Sequence, residues 1–182
     1  MMAHYALFLQ RALAPVVRFV EACARALRCR FYYCLEVHAP QTLRPAMRAE
    51  LELLLTACHG VSDYSSLFSE CDRVYTATYQ NQTVACVFTR SLDWNAEEDQ
   101  RHICNVRALS VVREHRRQGI ATRLITRIKR DAAQERAVWL ELHVDEKRDR
   151  SHECLLAMYR GMGFLVLPRP HKSQYILLCM DY

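Results

Sequence analysis

Residues 109–133 read LSVVREHRRQGIATRLITRIKRDAA, and within them an extended apolar run stops, a single glycine follows a basic cluster, and a long helix begins. Leu109, Val111 and Val112 have the apolar and β-branched character of a strand end, whereas Ile120, Leu124, Ile128 and Ala132 recur every fourth residue, as on one helix face. The change of period falls at residues 116–121. A helix start leaves its first backbone N–H groups unpaired and carries partial positive charge, so a turn of RRQGIA placed there can wrap a diphosphate. Gly119 lacks a Cβ and lets a phosphate approach the main chain. Taken alone, the same pattern also describes an ordinary strand, turn and helix with a solvated basic turn.

Two other phosphate motifs are excluded. The chain has four glycines, Gly60, Gly119, Gly161 and Gly163, and neither G-x-G-x-x-G nor G-x-x-x-x-G-K-[ST] can be assembled from them. A length of 182 residues with 51% apolar content suits one domain plus an extension. No uncharged apolar run is long enough for a transmembrane helix. The nine cysteines are an odd number with no C-x-x-C pair, which fits reduced, mostly buried thiols of an intracellular protein rather than a disulfide framework or a zinc site.

The net charge of +5 becomes informative once it is located. Residues 1–30 carry +4 of it, through Arg11, Arg18, Arg25, Arg28 and Arg30 against Glu21, so the rest of the chain is nearly balanced. A nucleic-acid-binding body would hold its basic excess on the domain itself, so no nucleic acid is expected as a partner. Residues 1–29 read as an amphipathic helical extension, interrupted at Pro15, with His4, Arg11, Arg18 and Arg25 on one face. A helix packed on the domain or on a second copy, a mitochondrial presequence, and a helix lying on an anionic membrane surface all remain open for it. The expected localisation is intracellular, with the cytoplasm as the default.

From residue 30 to residue 182 the pattern is that of one mixed α/β domain. A strand is expected over residues 31–38 and a helix over 42–58, with Pro45 in its first turn and Gly60 at its end. A short helix capped by Ser62 or Asp63 follows over 61–71. Strands at 73–79 and 83–90 flank a loop of Gln80, Asn81 and Gln82, and the polar residues 91–100 read as a surface loop. Further strands fall at 103–112, 138–144, 164–167 and 174–180, the last two forming a closing hairpin. The expected order is βααβββαβαββ.

A second stretch, LLAMYRGMGF at residues 155–164, completes a pattern. With residues 109–121 and the strand between them, it resembles the GNAT superfamily of acyl-CoA-dependent N-acyltransferases, whose motif is L-x-V-x-x-x-x-[RQ]-x-x-G-x-[GA] followed by L-Y-x-x-x-G-F. Leu109, Val111, Arg116, Gly119 and Ala121 fill the first half, and Met158, Tyr159, Gly163 and Phe164 the second, with Met158 in place of Leu. The resemblance implies the GNAT fold, an α/β (α+β) architecture with a mixed central sheet of about seven strands, splayed central strands and helices on both faces.

It also implies the chemistry. Moving an acetyl group from a thioester to an amine needs a neutral amine, a polarised carbonyl and a proton for the departing thiolate. The implied co-substrate is acetyl-CoA, with no metal. Its pantetheine arm would pair with Leu109, Ser110 and Val111, and its diphosphate would sit on Arg116, Arg117, Gln118, Gly119, Ile120, Ala121 and Thr122. Truncating Gln118 should then matter less than a bulky residue at Gly119. Tyr159 is the implied general acid, because a phenol stays protonated at neutral pH and can donate to sulfur. Glu141 is the candidate base, with His143 and a water chain as rivals. His152 stands seven residues before Tyr159, where many members carry an asparagine that contacts the cofactor. The spacing from Asp145 to Tyr159 exceeds the common one, and Arg113 replaces a usual proline.

The implied acceptor is a primary amine, of a protein or a small molecule, bound between residues 59–66 and 167–174. Those residues mix His59, Asp63, Tyr64, Arg169, His171 and Lys172 and favour neither class. The alternative to an enzyme is a GNAT-fold module that binds CoA and regulates without turning over.

Overall fold

The computed structural model describes residues 33–60, 63–96, 99–135, 137, 139–145, 152–168 and 174–179. The expected extension at 1–29, the loop at 146–151 and the hairpin loop at 169–173 lie outside the described residues. The elements are β1 (Cys34–His38), α1 (Pro45–His59), α2 (Ser65–Glu70), β2 (Arg73–Tyr79), β3 (Gln82–Ala96), β4 (Asp99–Val111), α3 (Ile120–Gln134), β5 (Trp139–Asp145), α4 (His152–Arg160), β6 (Leu165–Pro168) and β7 (Gln174–Cys179). One seven-stranded sheet runs β1-β2-β3-β4-β5-β7-β6, and the order of helices and strands along the chain is the one read from the sequence. Every neighbouring pair is antiparallel except β4 and β5. Among the described residues, no helix is long and apolar enough to cross a membrane.

Strand alternation sends neighbours to opposite faces and builds two cores. On one face Tyr75, Ala77, Ala85, Val87 and Val106 meet Ile120, Leu124, Ile125 and Ile128 of α3 and Leu156 and Tyr159 of α4. On the other, Val74, Cys86 and Phe88 meet Leu51, Leu54 and Leu55 of α1 and Phe68 of α2. Each fully buried Leu or Ile contributes roughly 1.5–3 kcal/mol, and α3 alone buries Ile120, Leu124, Ile125 and Ile128. This helix is therefore the principal clamp on its face.

Several boundaries differ from the sequence reading. Residues 91–96 and 99–100 are strand rather than loop: the β3–β4 ladder continues to the pair Ala96 and Asp99. Backbone pairing in such a ribbon needs no buried face, which is why its polarity misled. The turn between β2 and β3 is the pair Gln80 and Asn81, both at positive φ (49° and 63°), and Gln82 already belongs to β3. Positive φ at both central residues is the geometry whose twist matches flanking strands.

Helix α1 starts at Pro45, preceded by a 3-10 turn at Pro40–Thr42, and ends where Gly60 takes φ 69°. β1 begins at Cys34, one residue after Tyr33. The cap of α2 is Tyr64, whose hydroxyl donates to Leu55 O at 2.9 Å rather than capping the helix. Asp63 instead accepts the N–H of Ser65 at 2.9 Å, a bond that holds its carboxyl below the usual range. Ser62 lies outside the described residues.

Cys34, Cys58, Cys71, Cys86, Cys104 and Cys154 are free thiols. Burial pushes the Cys71 thiol up to about 11 and that of Cys104 up to about 12, and raises Cys86 further still. Cys34 and Cys154 are exposed. A brief maleimide pulse on native protein, read by peptide mass spectrometry, should label Cys34 and Cys154 and spare Cys71 and Cys86 until denaturant is added. Early labelling at Cys86 would contradict this packing.

Candidate active site

Among the described residues, β4 and β5 pair from Ile103 to Val106 against Trp139 to Leu142. Beyond that point β4 continues along β3 to Val111, and β5 continues along β7 to Asp145. The parting coincides with a bulge. Thr89 pairs with Val106 and Phe88 with Ala108, so Arg107 is the extra residue of β4. An extra residue bends its strand and sharpens its twist, turning the end of β4 away from β5.

Backbone direction in this free end follows from one bond. Val112 donates its N–H to Val84 O at 2.9 Å, which makes that pair hydrogen-bonded and, by alternation, the Ser110–Cys86 pair as well. Leu109 and Val111 therefore turn their N–H and C=O groups to the open side facing β5. Ser110 turns its own to β3. Its side chain is 2% exposed and lies 2.7 Å from His59 Nε2, at the end of α1. Next to it, Val111 O accepts Arg116 Nε at 2.9 Å and Cys58 Sγ at 3.6 Å.

The loop into α3 is held in an uncommon shape. Arg117 takes φ 59° and Gly119 φ 80°, two left-handed residues flanking Gln118. For a residue with a Cβ this conformation costs about 1–2 kcal/mol, and successive N–H groups arranged this way form a concave anion nest. The first α-helical bond of α3 runs from Arg123 N–H to Gly119 O at 3.0 Å, which leaves the N–H groups of Ile120, Ala121 and Thr122 ahead of it at the mouth. A Cβ built on Gly119 would meet nothing within 4 Å, so the space before the loop is open. Arg116, Arg117 and Thr122 are exposed, while Ile120 is buried in the core.

Gln118 does more than line the mouth. Its Oε1 accepts the Tyr33 hydroxyl at 2.7 Å and its Nε2 donates to Glu114 O at 3.2 Å. Nothing in the sequence around Tyr33 signals this contact, which joins residues far apart in the chain.

Tyr159, on α4, is 6% exposed and shares a core cluster with Ile120 at the helix mouth and Val106 at the last rung shared with β5. The spacing Y-x-x-x-G-F has a local cause. Gly163 takes φ 85° and turns the chain so that Phe164 donates its N–H to Tyr159 O at 3.1 Å and sets its ring edge-on against the Tyr159 ring, centroids 5.6 Å apart. Lys129 of α3 pins the same turn through Met162 O at 2.9 Å.

On β5, Glu141 stands in register between Asn105 and Leu178, inside the shared ladder. His143 pairs with Ile176, past the last rung with β4. His152 is the first residue of α4. The structure describes these three through their backbone positions. Asn105, the rung opposite Glu141, is a buried polar residue on β4 that the sequence reading did not single out. Among the described residues, no group of three or more His, Cys, Asp or Glu is placed to hold a metal ion.

The family model described as Acetyltransferase (GNAT) family matches residues 39–164. No curated protein matches the chain. Among solved structures, NAA60 of Arabidopsis thaliana in complex with acetyl-CoA is similar with a TM-score of 0.64 at 14% identity, over 81% of this chain and 100% of that one. Arabidopsis thaliana Naa50 in complex with the bisubstrate analogue CoA-Ac-MVNAL gives a TM-score of 0.63 at 15% identity, over 79% and 97%. An aminoglycoside acetyltransferase from an uncultured soil metagenomic sample, in complex with trehalose, gives 0.58 at 19%, over 71% and 86%. At such identities the likeness is one of fold.

The His59–Ser110 bond ties the end of α1 to the free end of β4. In urea unfolding, Ser110→Ala and His59→Ala should show a coupling of about 0.5–1.5 kcal/mol in a double-mutant cycle. Strict additivity would mean that the bond carries no stability.

Proposed function

Because the chain belongs to the GNAT family of acetyltransferases, we propose that it transfers the acetyl group of acetyl-CoA to a primary amine by direct attack. The observation that carries this reading is the loop at residues 116–119, whose left-handed Arg117 and Gly119 turn backbone N–H groups toward open space at the head of a helix. Such a mouth favours an anion through both its unpaired donors and its dipole. The diphosphate is assigned to residues 116–122. The pantetheine arm is assigned to the free end of β4, where Leu109 and the N–H of Val111 offer outward backbone groups, the Val111 carbonyl being taken by Arg116 and Cys58, and Ser110 fixes the strand from behind.

In the proposed reaction the amine nitrogen attacks the thioester carbonyl. The N–C bond forms, the C–S bond breaks, and the phenol of Tyr159 gives its proton to the departing sulfur. The amine proton passes to Glu141, for which His143 and a water chain are the rivals. The core cluster that Tyr159 shares with Ile120 and Val106 supports its role, since it ties the phenol-bearing helix to the head of α3 and the last rung of β4 and β5. The acceptor is an amine of a protein or of a small molecule. Structural neighbours include proteins solved with a peptide-bearing analogue and an aminoglycoside acetyltransferase, so both classes stay in the test.

Calorimetry should show acetyl-CoA binding, accompanied by slow thioester loss without amine. Tyr159→Phe should retain the binding and lower turnover by roughly a hundredfold or more, the scale of a lost general acid. Unchanged turnover removes Tyr159 from the chemistry. Binding with no acetylation across a panel of peptides and amines favours the regulatory module instead.

Gly119→Val should weaken acetyl-CoA binding far more than Gln118→Ala, since it forces a β-branched residue to positive φ and projects its side chain into the space assigned to phosphate. Comparable affinities in the two variants would displace the diphosphate from this loop.

A further inference from the structure

Tyr33 precedes β1 and belongs to neither half of the family motif, yet its hydroxyl lies 2.7 Å from Gln118 Oε1 and 3.0 Å from His115 Nδ1. These two partners stand on opposite sides of Arg117, the non-glycine residue at φ 59°. A phenol carries one hydrogen. It donates to Gln118, so the bond with His115 requires the imidazole to donate from Nδ1. The Gln118 amide is oriented consistently, since its Nε2 donates to Glu114 O at 3.2 Å.

Tyr33 is itself immobilised. The side chain is buried, its ring packs against Tyr79 (5.4 Å between centroids) and His115 (5.8 Å), and its carbonyl accepts Arg123 Nη1 at 3.4 Å. A fixed hydroxyl thus staples both flanks of a strained residue.

We propose that Tyr33 is a positioning residue for acetyl-CoA: its hydroxyl holds residues 115–118 in the left-handed turn whose N–H groups take the diphosphate. The inference rests on the acetyl-CoA reading given above and adds to it a residue from a different part of the chain. Without the staple, Arg117 relaxes toward the ordinary backbone regions, and the ligand must restore the nest as it binds. The loss then falls on the diphosphate and spares the thioester arm.

The test compares acetyl-CoA with S-acetylpantetheine, which lacks the diphosphate, by calorimetry on full-length protein. Tyr33→Phe keeps the ring and its packing. It removes both hydrogen bonds of the hydroxyl and should weaken acetyl-CoA at least three- to tenfold, roughly the scale of a single neutral hydrogen bond, with S-acetylpantetheine unchanged. Gln118→Leu removes one of these bonds from the other side, leaves Tyr33 in place, and should give a similar loss. The double variant should then be little worse than either single one.

Unchanged acetyl-CoA affinity in Tyr33→Phe overturns the proposal, as does equal weakening of both ligands or full additivity of the two substitutions. If Tyr33→Phe does not fold, Gln118→Leu decides by the same comparison. Wild-type protein that binds neither ligand overturns the acetyl-CoA reading together with this one, whereas normal wild-type binding with unaffected variants removes only the role of Tyr33.

Discussion

The two halves of the sheet are joined by a single short parallel ladder, Ile103 to Val106 against Trp139 to Leu142, and the rest of the molecule is arranged around its brevity. Antiparallel ladders stabilise β1 to β4 on one side and β5 to β7 on the other, so neither half needs the junction to be longer. Helix α3 crosses the junction and packs against strands of the first half and the helix that follows β5. Because α3 and α4 hold the halves together through apolar contact, β4 and β5 can part beyond Val106 without separating the domain. The open edge is thus stabilised by burial elsewhere.

That edge leads directly to the loop that precedes α3, and the loop is organised by side chains as much as by its backbone. Arg116 returns to Val111 O, and Gln118 reaches Glu114 O on one side and Tyr33 on the other. Each bond is modest. Together they offset the cost of a left-handed arginine, and a nest already shaped before ligand arrives loses less freedom when it closes on one. Within this loop glycine suits position 119, where φ is 80° and a side chain would project into the open space proposed for the diphosphate. At position 117 an arginine is tolerated because its Cβ strain is offset by its neighbours.

What could be read from the sequence was local in origin. The switch from strand to helix period, Gly119 at the mouth, and Gly163 four residues after Tyr159 each encode a conformation within a few residues, and each stands where the reading put it. The order of elements followed from the same kind of evidence. The ribbon at 91–96 and 99–100 was missed because backbone pairing needs no apolar face, although Leu92 and Trp94 keep a strand alternation among the polar residues. The bond between His59 and Ser110, and the contact of Tyr33 with Gln118, join residues 51 and 85 positions apart. Such contacts arise only when β1, α1 and β4 are assembled, and no spacing rule reports them.

The extra residue at Arg107 sets a reading frame for the strand. Cys104 and Val106 ahead of it, and Leu109 and Val111 beyond it, all contribute to the core under α3, whereas Ala108 belongs to the opposite core. Uninterrupted alternation would have sent Ala108 beneath α3 in place of Leu109. A single insertion or deletion between residues 103 and 111 therefore acts as a frameshift in space, exchanging both faces of the strand and reversing which amides point outward.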